Sequence, residues 1–374
     1  MKWSWRMGSI AGIALNVHAT FLLLLVWVGL GSYKASQSAL AAASGVVFVL
    51  AVFATVVLHE LGHALAARRY GIRTRDITLL PIGGVARLER MPREPRQELV
   101  VALAGPAVNV VIAALLWAGL RLTGGIPTFL DDASLSAGFL ERGFAARLLA
   151  VNVWLVLFNL IPAFPMDGGR VLRALLAMRH KDYPRATETA ARVGRFFALL
   201  FGLLGMFVVG NPMLVLIALF VWLGAAAEAS AVQTSAVLDG VPIHELMITD
   251  VETLAPGDPL SRAVRLILDG FQQDFPVVED GVVIGMLTRA RLLRALSERG
   301  EATPVSEVME REFVQATVGE AADDALTRLK ACGCHSMPVL RDGRLLGVLT
   351  MDNVGEYVMV QSALRGEKAQ FVPA

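Results

Sequence analysis

The chain has 374 residues, of which 55% are hydrophobic and 18% are charged, and its formal net charge is +1. A soluble protein of average composition carries about 25% charged residues, so the composition argues against a wholly soluble protein. A net charge near zero provides no basic field of the kind that attracts nucleic acid, so no nucleic-acid partner is expected. The deficit of charge is concentrated in residues 10–230, whereas the residues from about 240 onward have the composition of a soluble domain.

The N-terminal part contains six strongly apolar segments, each of which is a predicted transmembrane helix. A helix needs about 20 apolar residues to cross a bilayer, so the shorter segments must recruit flanking residues. The basic start "MKWSWR" would also suit a signal peptide, but the apolar run after it is longer than the core of such a peptide. We therefore predict a polytopic α-helical membrane domain over residues 1–232. The six segments are residues 17–30, 46–67, 99–120, 145–164, 196–209 and 213–227.

Basic residues are distributed unevenly among the loops between these segments. By the positive-inside rule, the loops rich in arginine and lysine lie in the cytoplasm. This places both termini and the soluble tail in the cytoplasm and predicts a multi-pass protein of the cell membrane. Cys332 and Cys334, in the tail, are then expected to be reduced thiols. The two rich loops contain Arg68, Arg69, Arg73, Arg75, Arg87, Arg90, Arg93 and Arg96, and Arg170, Arg173, Arg179, Lys181, Arg185, Arg192 and Arg195.

The second apolar segment ends in "VVLHELGHALAARRY", residues 56–70, which places ionisable side chains at membrane depth. His59 and His63 are four residues apart and share one face of a helix, where both imidazoles can bind one zinc ion. Glu60 lies between them and can act as the general base toward a water at the zinc. A solvated helix face would explain this spacing in a soluble protein, but ionisable residues inside a membrane are costly and mark functional sites. The motif therefore predicts a zinc site in the membrane.

The sequence "LLPIGGVARLE", from Leu79, follows this motif and has strand character with two consecutive glycines, Gly83 and Gly84. Backbone at membrane depth must be paired or must line a wet cavity. A free strand edge there could bind a substrate segment as an additional strand. A helical substrate has shielded peptide bonds, so it must be extended before it is cleaved. The sequence thus predicts a short membrane-associated β segment that binds substrate.

A zinc ion in a catalytic site takes three protein ligands and leaves the fourth position for water, so a third ligand is needed. Asp167, in "NLIPAFPMDGGR", lies where the fourth apolar segment returns to the depth expected for His63. The "DGG" sequence also favours a turn, and that turn would present the carboxylate. His180 and Glu98 are the next candidates, whereas His18 is expected to be an interfacial or hydrogen-bonded histidine.

The tail contains an internal duplication. The sequence "VPIHELM" at 241 matches "TPVSEVM" at 303, and "FPVVEDGVVIGMLT" at 275 matches "MPVLRDGRLLGVLT" at 337, with an offset of 62 residues in both cases. A constant offset indicates two copies of one module. Each copy contains a "DG" turn between apolar runs, which predicts a hairpin within an α/β unit. The two copies span residues 240–298 and 302–364.

These copies resemble a tandem pair of CBS domains. The resemblance implies a module that mediates homodimerisation or binds an adenosine nucleotide such as ATP. In the family, a Thr or Ser is followed three residues later by an Asp that holds the ribose. The second copy has Thr350 and Asn353 at these positions, and the first has Thr288 and Arg291. Because neither copy has the Asp, nucleotide binding and dimerisation without nucleotide both stay open.

The motifs "HELGH", "LLPIGGVARLE", "AGPAVN" and "NLIPAFPMDGG" together resemble those of the site-2 proteases, in the subgroup with C-terminal CBS domains. The resemblance implies an intramembrane zinc metalloprotease with one zinc per chain, held by His59, His63 and Asp167, with Glu60 as general base. It implies single-span membrane proteins as substrates, in regulated intramembrane proteolysis. It also implies that Asn159 helps to hold the extended substrate, although a helix-packing hydrogen bond is the alternative for this residue.

Two further interpretations concern the third segment and the class of protein. Gly105 and Asn109, in "AGPAVN", are expected to be packing residues, since small residues permit close approach of helices. The alternative function is a membrane transporter or channel regulated by the CBS pair, which predicts inverted repeats around a midplane site. The sequence shows no inverted repeat, and this alternative leaves "HELGH" without a role.

Overall fold

The computed structural model describes residues 3–81, 83–88, 92, 94–123, 143–270 and 272–364. The chain divides into two compact units, Met1–Ala229 and Ser230–Ala374. Arg90 and Arg93, on which the predicted orientation partly rests, lie outside the described residues.

The first unit contains the predicted membrane helices. Five helices among the described residues are long and apolar enough to cross a membrane, and the predicted fourth span corresponds to a shorter apolar helix. The prediction of a polytopic α-helical domain is therefore confirmed. The helices are α1 Ala19–Ser36, α2 Ala39–Arg68, α3 Pro95–Leu122, α4 Phe144–Asn159, α5 Asp167–His180, α6 Tyr183–Leu203, which a π-helical turn extends to Val208, and α7 Pro212–Leu238, which continues into the second unit.

A four-stranded sheet accompanies these helices. Its strands are β1 Ser4–Ile10, β2 Ile13–His18, β3 Thr74–Leu80 and β4 Gly83–Leu88, in the spatial order β1-β2-β3-β4. β3 and β4 form an antiparallel hairpin, which confirms the predicted β segment. β2 and β3 are parallel, so helices α1 and α2 form the crossover connection that parallel strands require.

The β1-β2 hairpin was not predicted from the sequence. Ala11 and Gly12 form its two-residue turn with φ values of 53° and 83°. Turns of this kind need positive φ at both central residues and favour Asn, Asp or Gly there. Because the first position is alanine rather than one of these residues, the sequence does not indicate the turn. His18, the last residue of β2, caps α1 by accepting a hydrogen bond from the backbone N–H of Thr20, as a hydrogen-bonded histidine rather than a ligand.

Helices α2 and α3 approach closely because glycines lie between them. A Cβ atom on Gly62 would lie 2.8 Å from the backbone oxygen of Ala104, so no larger residue fits there. Gly105, on the facing helix, is equally confined, which agrees with its predicted role in packing. This contact sets the distance between the helix that carries "HELGH" and its neighbour.

The second unit contains the two repeats, each with a β hairpin and flanking helices. Asp274 and Ser336, which occupy equivalent positions in the two copies, hydrogen-bond to each other at 2.7 Å. Each copy also forms an isolated β-bridge with the other, between Ile248 and Val348 and between Met286 and Glu310. The elements are α8 Leu260–Asp269, β5 Phe275–Glu279, β6 Val282–Leu287, α9 Arg289–Arg299, β7 Ala316–Thr317, α10 Ala322–Cys332, β8 Ser336–Arg341, β9 Arg344–Thr350 and α11 Met351–Leu364.

The two cysteines are joined in a disulfide, so the expectation of reduced thiols is wrong for this structure. Gly333, between them, ends α10 in a left-handed conformation with φ at 67°. This turn brings the Cα atoms of Cys332 and Cys334 to 5.2 Å, within the range that a disulfide can span.

Candidate metal centre

The three predicted zinc ligands come together inside the first unit. His59 and His63 project from α2 with their Nε2 atoms 3.1 Å apart, and Asp167 begins α5. Oδ2 of Asp167 lies 3.2 Å from Nε2 of each histidine. All three residues are buried, and they form the one group of potential metal ligands found among the described residues.

Hydrogen bonds determine which ring nitrogens of the two histidines carry protons. Nδ1 of His63 lies 2.7 Å from the carbonyl oxygen of Val101, which can only accept a hydrogen bond. Nδ1 of His59 lies 2.6 Å from Oδ1 of Asn109, also an acceptor. The amide of Asn109 is held in this orientation because its Nδ2 donates to Oδ1 of Asn152 at 2.8 Å. Both Nδ1 atoms therefore carry the proton, and both Nε2 atoms present a lone pair.

The resulting arrangement fits a zinc ion. Two Nε2 lone pairs and one carboxylate oxygen converge in a buried space, and Oδ2 of Asp167 receives no hydrogen bond from the described residues. Three such acceptors repel one another unless a cation lies between them. In a tetrahedral zinc site the ligand atoms are roughly 3.3 Å from each other, given bonds of about 2.0–2.2 Å. The separations of 3.1 and 3.2 Å agree with this value.

The backbone of α3 forms one wall of the site. A Cβ atom on Gly105 would lie 2.2 Å from Nε2 of His63 and 2.7 Å from Nε2 of His59, so only glycine fits. Val101, Gly105 and Asn109 lie on one face of α3, at the four-residue spacing that aligns side chains on a helix. Asn109 was predicted to be a packing residue, and its hydrogen bond to a ligand was missed. The available signal was an amide at membrane depth on the same helix face as Gly105.

The turn before α5 presents the third ligand. A Cβ atom on Gly168 would lie 2.3 Å from the backbone oxygen of Ile161, and one on Gly169 would lie 2.6 Å from the backbone nitrogen of Phe164. The two glycines thus let the first turn of α5 pack directly on the preceding loop. The prediction of a turn at "DGG" is therefore wrong: these residues form the first turn of helix α5, and the turn lies in the residues just before them. The start of the helix places the carboxylate of Asp167 at the histidines.

Glu60 lies beside strand β4. Its Oε2 accepts a hydrogen bond from the backbone N–H of Ala86 at 3.2 Å. A Cβ atom on Gly84 would lie 2.9 Å from Cγ of Glu60, so this glycine makes room for the side chain. Gly83, which begins β4, has φ at 139°, a conformation that favours glycine. Both predicted substrate-binding glycines therefore lie in the strand next to the predicted base.

The other predicted site residues lie apart from the three ligands. Asn159 is the last residue of α4 and is half-buried, and its side chain makes no hydrogen bond with the residues that the structure describes. Of the two alternative candidates for the third ligand, Glu98 is hydrogen-bonded to Arg173, and His180 is exposed at the far end of α5. Neither belongs to the group of His59, His63 and Asp167.

The four candidate nucleotide-binding residues of the tail all have partners within the chain. Oγ1 of Thr288 accepts a hydrogen bond from the N–H of Arg291, and Oγ1 of Thr350 accepts one from the N–H of Asn353. Both threonines thus cap the helix that follows. Arg291 pairs with Glu310, and the amide of Asn353 donates to the carbonyl oxygen of Leu246. Each of these side chains stabilises the fold of the tail.

A buried site of two histidines and one aspartate among membrane helices defines a membrane-embedded metalloenzyme. The model of the family described as peptidase family M50 matches residues 47–142 and 122–201, and that of the CBS domain matches residues 243–298 and 305–359. The chain belongs to peptidase family M50, the site-2 proteases, and carries a tandem pair of CBS domains.

Individual relatives agree with this assignment. The zinc metalloprotease MJ0392 of Methanocaldococcus jannaschii is 33% identical over 357 residues, which is 95% of this chain and 96% of that protein. Rip3 of Mycobacterium tuberculosis is 31% identical over 377 residues, which is 95% of this chain and 92% of that protein. The solved structure of the site-2 protease from Methanocaldococcus jannaschii is 37% identical, covers 61% of this chain and 95% of its own, and superimposes with a TM-score of 0.44. The two curated relatives, together with the five apolar helices, make the chain a multi-pass membrane metalloprotease.

Proposed function

We propose that this protein is an intramembrane zinc protease that hydrolyses peptide bonds in or near the transmembrane segment of single-span proteins. The observation that carries this proposal is the convergence of Nε2 of His59, Nε2 of His63 and Oδ2 of Asp167 at 3.1 to 3.2 Å among membrane helices. A zinc ion held there supplies Lewis-acid activation of the carbonyl and of a water. This chemistry breaks peptide bonds that are otherwise inert in a membrane.

Glu60 is the proposed general base. It directly follows the first ligand on α2, and its carboxylate is oriented by the N–H of Ala86 at 3.2 Å. The carboxylate takes a proton from the attacking water and passes it to the leaving amine. Asn109 and the carbonyl of Val101 hold the two imidazoles with Nε2 directed into the site. These residues keep the ligands in one orientation throughout the reaction.

Strand β4 is the proposed binding site for an extended substrate. It is the last strand of the sheet, so its outer edge has no strand partner among the described residues. The N–H of Ala86 points away from β3, because it reaches Glu60. Backbone groups alternate in direction along an antiparallel strand, so those of Gly84 and Leu88 also face this edge. A substrate strand added here passes beside the base, with the side chain of Asn159 as a further partner for its backbone.

The test is cleavage of tagged single-span membrane proteins that are co-expressed with the intact chain or with Glu60→Gln. The intact chain should cleave at least one candidate, and the variant should cleave none while it keeps its zinc, because all three ligands are present. Full proteolysis by the variant would disprove the role of Glu60. A transporter regulated by the CBS pair would show no cleavage with either chain.

We further propose that the protein lies in the cell membrane with both termini in the cytoplasm, as the arginine-rich loops indicate. The tail is then a cytoplasmic module that forms a homodimer or binds an adenosine nucleotide. A C-terminal tag should be resistant to external protease in intact cells and cleaved after lysis. Digestion in intact cells would reverse the assigned orientation.

A further inference from the structure

An ion-pair cluster lies outside the metal site, and the chemistry proposed above makes no use of it. Arg173, on α5, is 0% exposed and is the largest fully buried side chain in the described part of the chain. Its Nε and Nη2 atoms donate to Oε1 of Glu98 at 2.8 and 2.5 Å. Its Nη1 atom donates to Oε1 of Glu228 at 2.6 Å. The guanidinium also stacks on the rings of Phe164 and Tyr183, at 4.9 and 5.0 Å from their centroids.

Stability alone is a poor explanation for this cluster. Removing a guanidinium from water is costly, and its carboxylate partners do no more than compensate for that cost in many proteins. Apolar residues of similar volume often give an equal or more stable core. A guanidinium does, however, fix geometry, because its planar fork bonds two carboxylates in set directions while its faces stack on rings. Arg173 uses all of these contacts at once.

The partners of Arg173 link it to the elements around the metal site. Glu98 lies on α3, and Glu228 lies on α7. Phe164 belongs to the turn just before Asp167. Arg173 itself follows Asp167 on the same helix by less than two turns. The cluster therefore holds both the helix that begins with the third ligand and the turn that leads into it.

Residues of helix α3 hold all three ligands in place, two of them directly and one through Arg173. The carbonyl oxygen of Val101 accepts a hydrogen bond from His63, and the amide oxygen of Asn109 accepts one from His59. Glu98 is one helical turn before Val101 on the same helix and bonds Arg173. The α2 ligands are thus fixed to α3 directly, and the α5 ligand is fixed to α3 through Arg173.

We propose that Arg173, held by Glu98 and Glu228, is a positioning residue that fixes Asp167 at the metal site. The proposal rests on the zinc site of the proposed function, but it concerns metal binding and helix position rather than the substrate. Loss of the cluster frees α5 to move relative to α3, and Oδ2 of Asp167 then leaves its position between the two histidines.

The test uses Glu98→Leu with Arg173→Met, a pair of changes that removes both buried charges together and leaves neither one stranded. Four properties of the full-length protein in detergent are measured: the unfolding midpoint without metal, zinc affinity by chelator competition, the cobalt(II) absorption spectrum, and amide hydrogen exchange of residues 164–170 without metal. The matched control is Arg179→Met, an exposed arginine on the same helix.

We expect the double variant to fold, to lose zinc affinity by about tenfold or more, as for other residues that orient metal ligands, and to shift the cobalt spectrum. Exchange in residues 164–170 should be faster than in the wild type, and the control should match the wild type in all four measurements. A folded double variant with wild-type zinc affinity, spectrum and exchange would overturn the proposal.

Two single variants keep the proposal testable if the double variant does not fold. Glu228 is partly exposed, with 24% of its side chain accessible, so Glu228→Gln leaves no buried charge stranded while Glu98 still holds Arg173. It should reduce zinc affinity measurably, and Arg173→Lys should reduce it further, because an ammonium cannot reach both carboxylates and stack. Wild-type affinity in both variants would overturn the proposal. The variants could weaken zinc binding as expected while the wild-type protein cleaves no substrate. That result would refute the proposed function and leave the role of Arg173 intact.

Discussion

Nδ1 of His59 donates a hydrogen bond to Oδ1 of Asn109 at 2.6 Å, in the interior of the membrane domain. This bond joins the helix that supplies two ligands to its neighbour and selects the tautomer in which Nε2 is free to bind metal. Partners of this kind hold metal ligands in place, and their loss weakens metal binding by roughly 10- to 100-fold in other proteins.

Asn109→Leu should therefore weaken zinc binding by about 10- to 100-fold, because His59 loses its acceptor. Asn109→Asp keeps an acceptor at the same position and should bind zinc far better than the leucine variant. Chelator competition on the purified protein measures both affinities. Equal zinc affinity in the leucine variant and the wild type would show that the packing of α2 against α3 suffices to hold the imidazole.

Gly105→Ala should abolish zinc binding, because its Cβ would lie 2.2 Å from Nε2 of His63. The matched control is Gly119→Ala on the same helix, where no atom lies within 4 Å of the new methyl group. The control should keep full zinc content and gain up to about 1 kcal/mol of helix stability. Zinc content by metal analysis separates the two variants, and normal zinc in Gly105→Ala would require α3 to shift away from the site.

Asp167→Ala should lower the zinc content of the purified protein, since one of three ligands is lost. Glu98 cannot substitute, because Arg173 holds its carboxylate at 2.5 to 2.8 Å. His180 cannot substitute either, because it is exposed at the opposite end of α5. A wild-type zinc stoichiometry in this variant would show that a different residue completes the site.

Gly84→Ala should reduce cleavage by tenfold or more while zinc content stays normal. The new Cβ would lie 2.9 Å from Cγ of Glu60, so the proposed base must move away from its position at β4. Gly8→Ala is the control, because this glycine lies in β1 with no atom within 4 Å of the added methyl group. Cleavage of a single-span substrate in detergent gives the rates, and a normal rate for Gly84→Ala would argue against the role of β4 and Glu60 together.

If the tail binds a nucleotide, titration of the intact protein with ATP, ADP and AMP should show weak binding, with the second CBS copy dominant. Asn353 can still bond a hydroxyl group, but it must first release the carbonyl of Leu246, and it lacks the charge that strengthens carboxylate contacts. Calorimetry measures the affinity, and Asn353→Ala should abolish the heat. Absence of heat in the wild type at millimolar nucleotide would leave the tail as a dimerisation module.

The sequence by itself determined the parts of this protein that depend on local pattern. Apolar segments long enough to cross a bilayer predicted the membrane helices, because the bilayer imposes a length on each span. The spacing of His59 and His63 predicted a shared metal, because residues four apart meet on one helix face. The direction of the chain through the third and fourth spans brought Asp167 to the same depth. The constant offset of the tail sequences predicted two copies of one module, and the structure shows those copies joined at Asp274 and Ser336.

The tertiary structure decided which distant residues hold these groups in place. Asn109 and Val101 are hydrogen-bonded to the two histidines, and Arg173 is hydrogen-bonded to Glu98 and Glu228. These partners are up to 75 residues apart in the sequence, and no periodic pattern in the sequence predicts such pairs. Arg173 was interpreted in the sequence as one more cytoplasmic charge, yet it is fully buried. The physical reason is that an arginine on a loop and an arginine inside an ion-pair cluster look alike in a sequence. Only the packing of the helices shows whether the charge meets water or a pair of carboxylates.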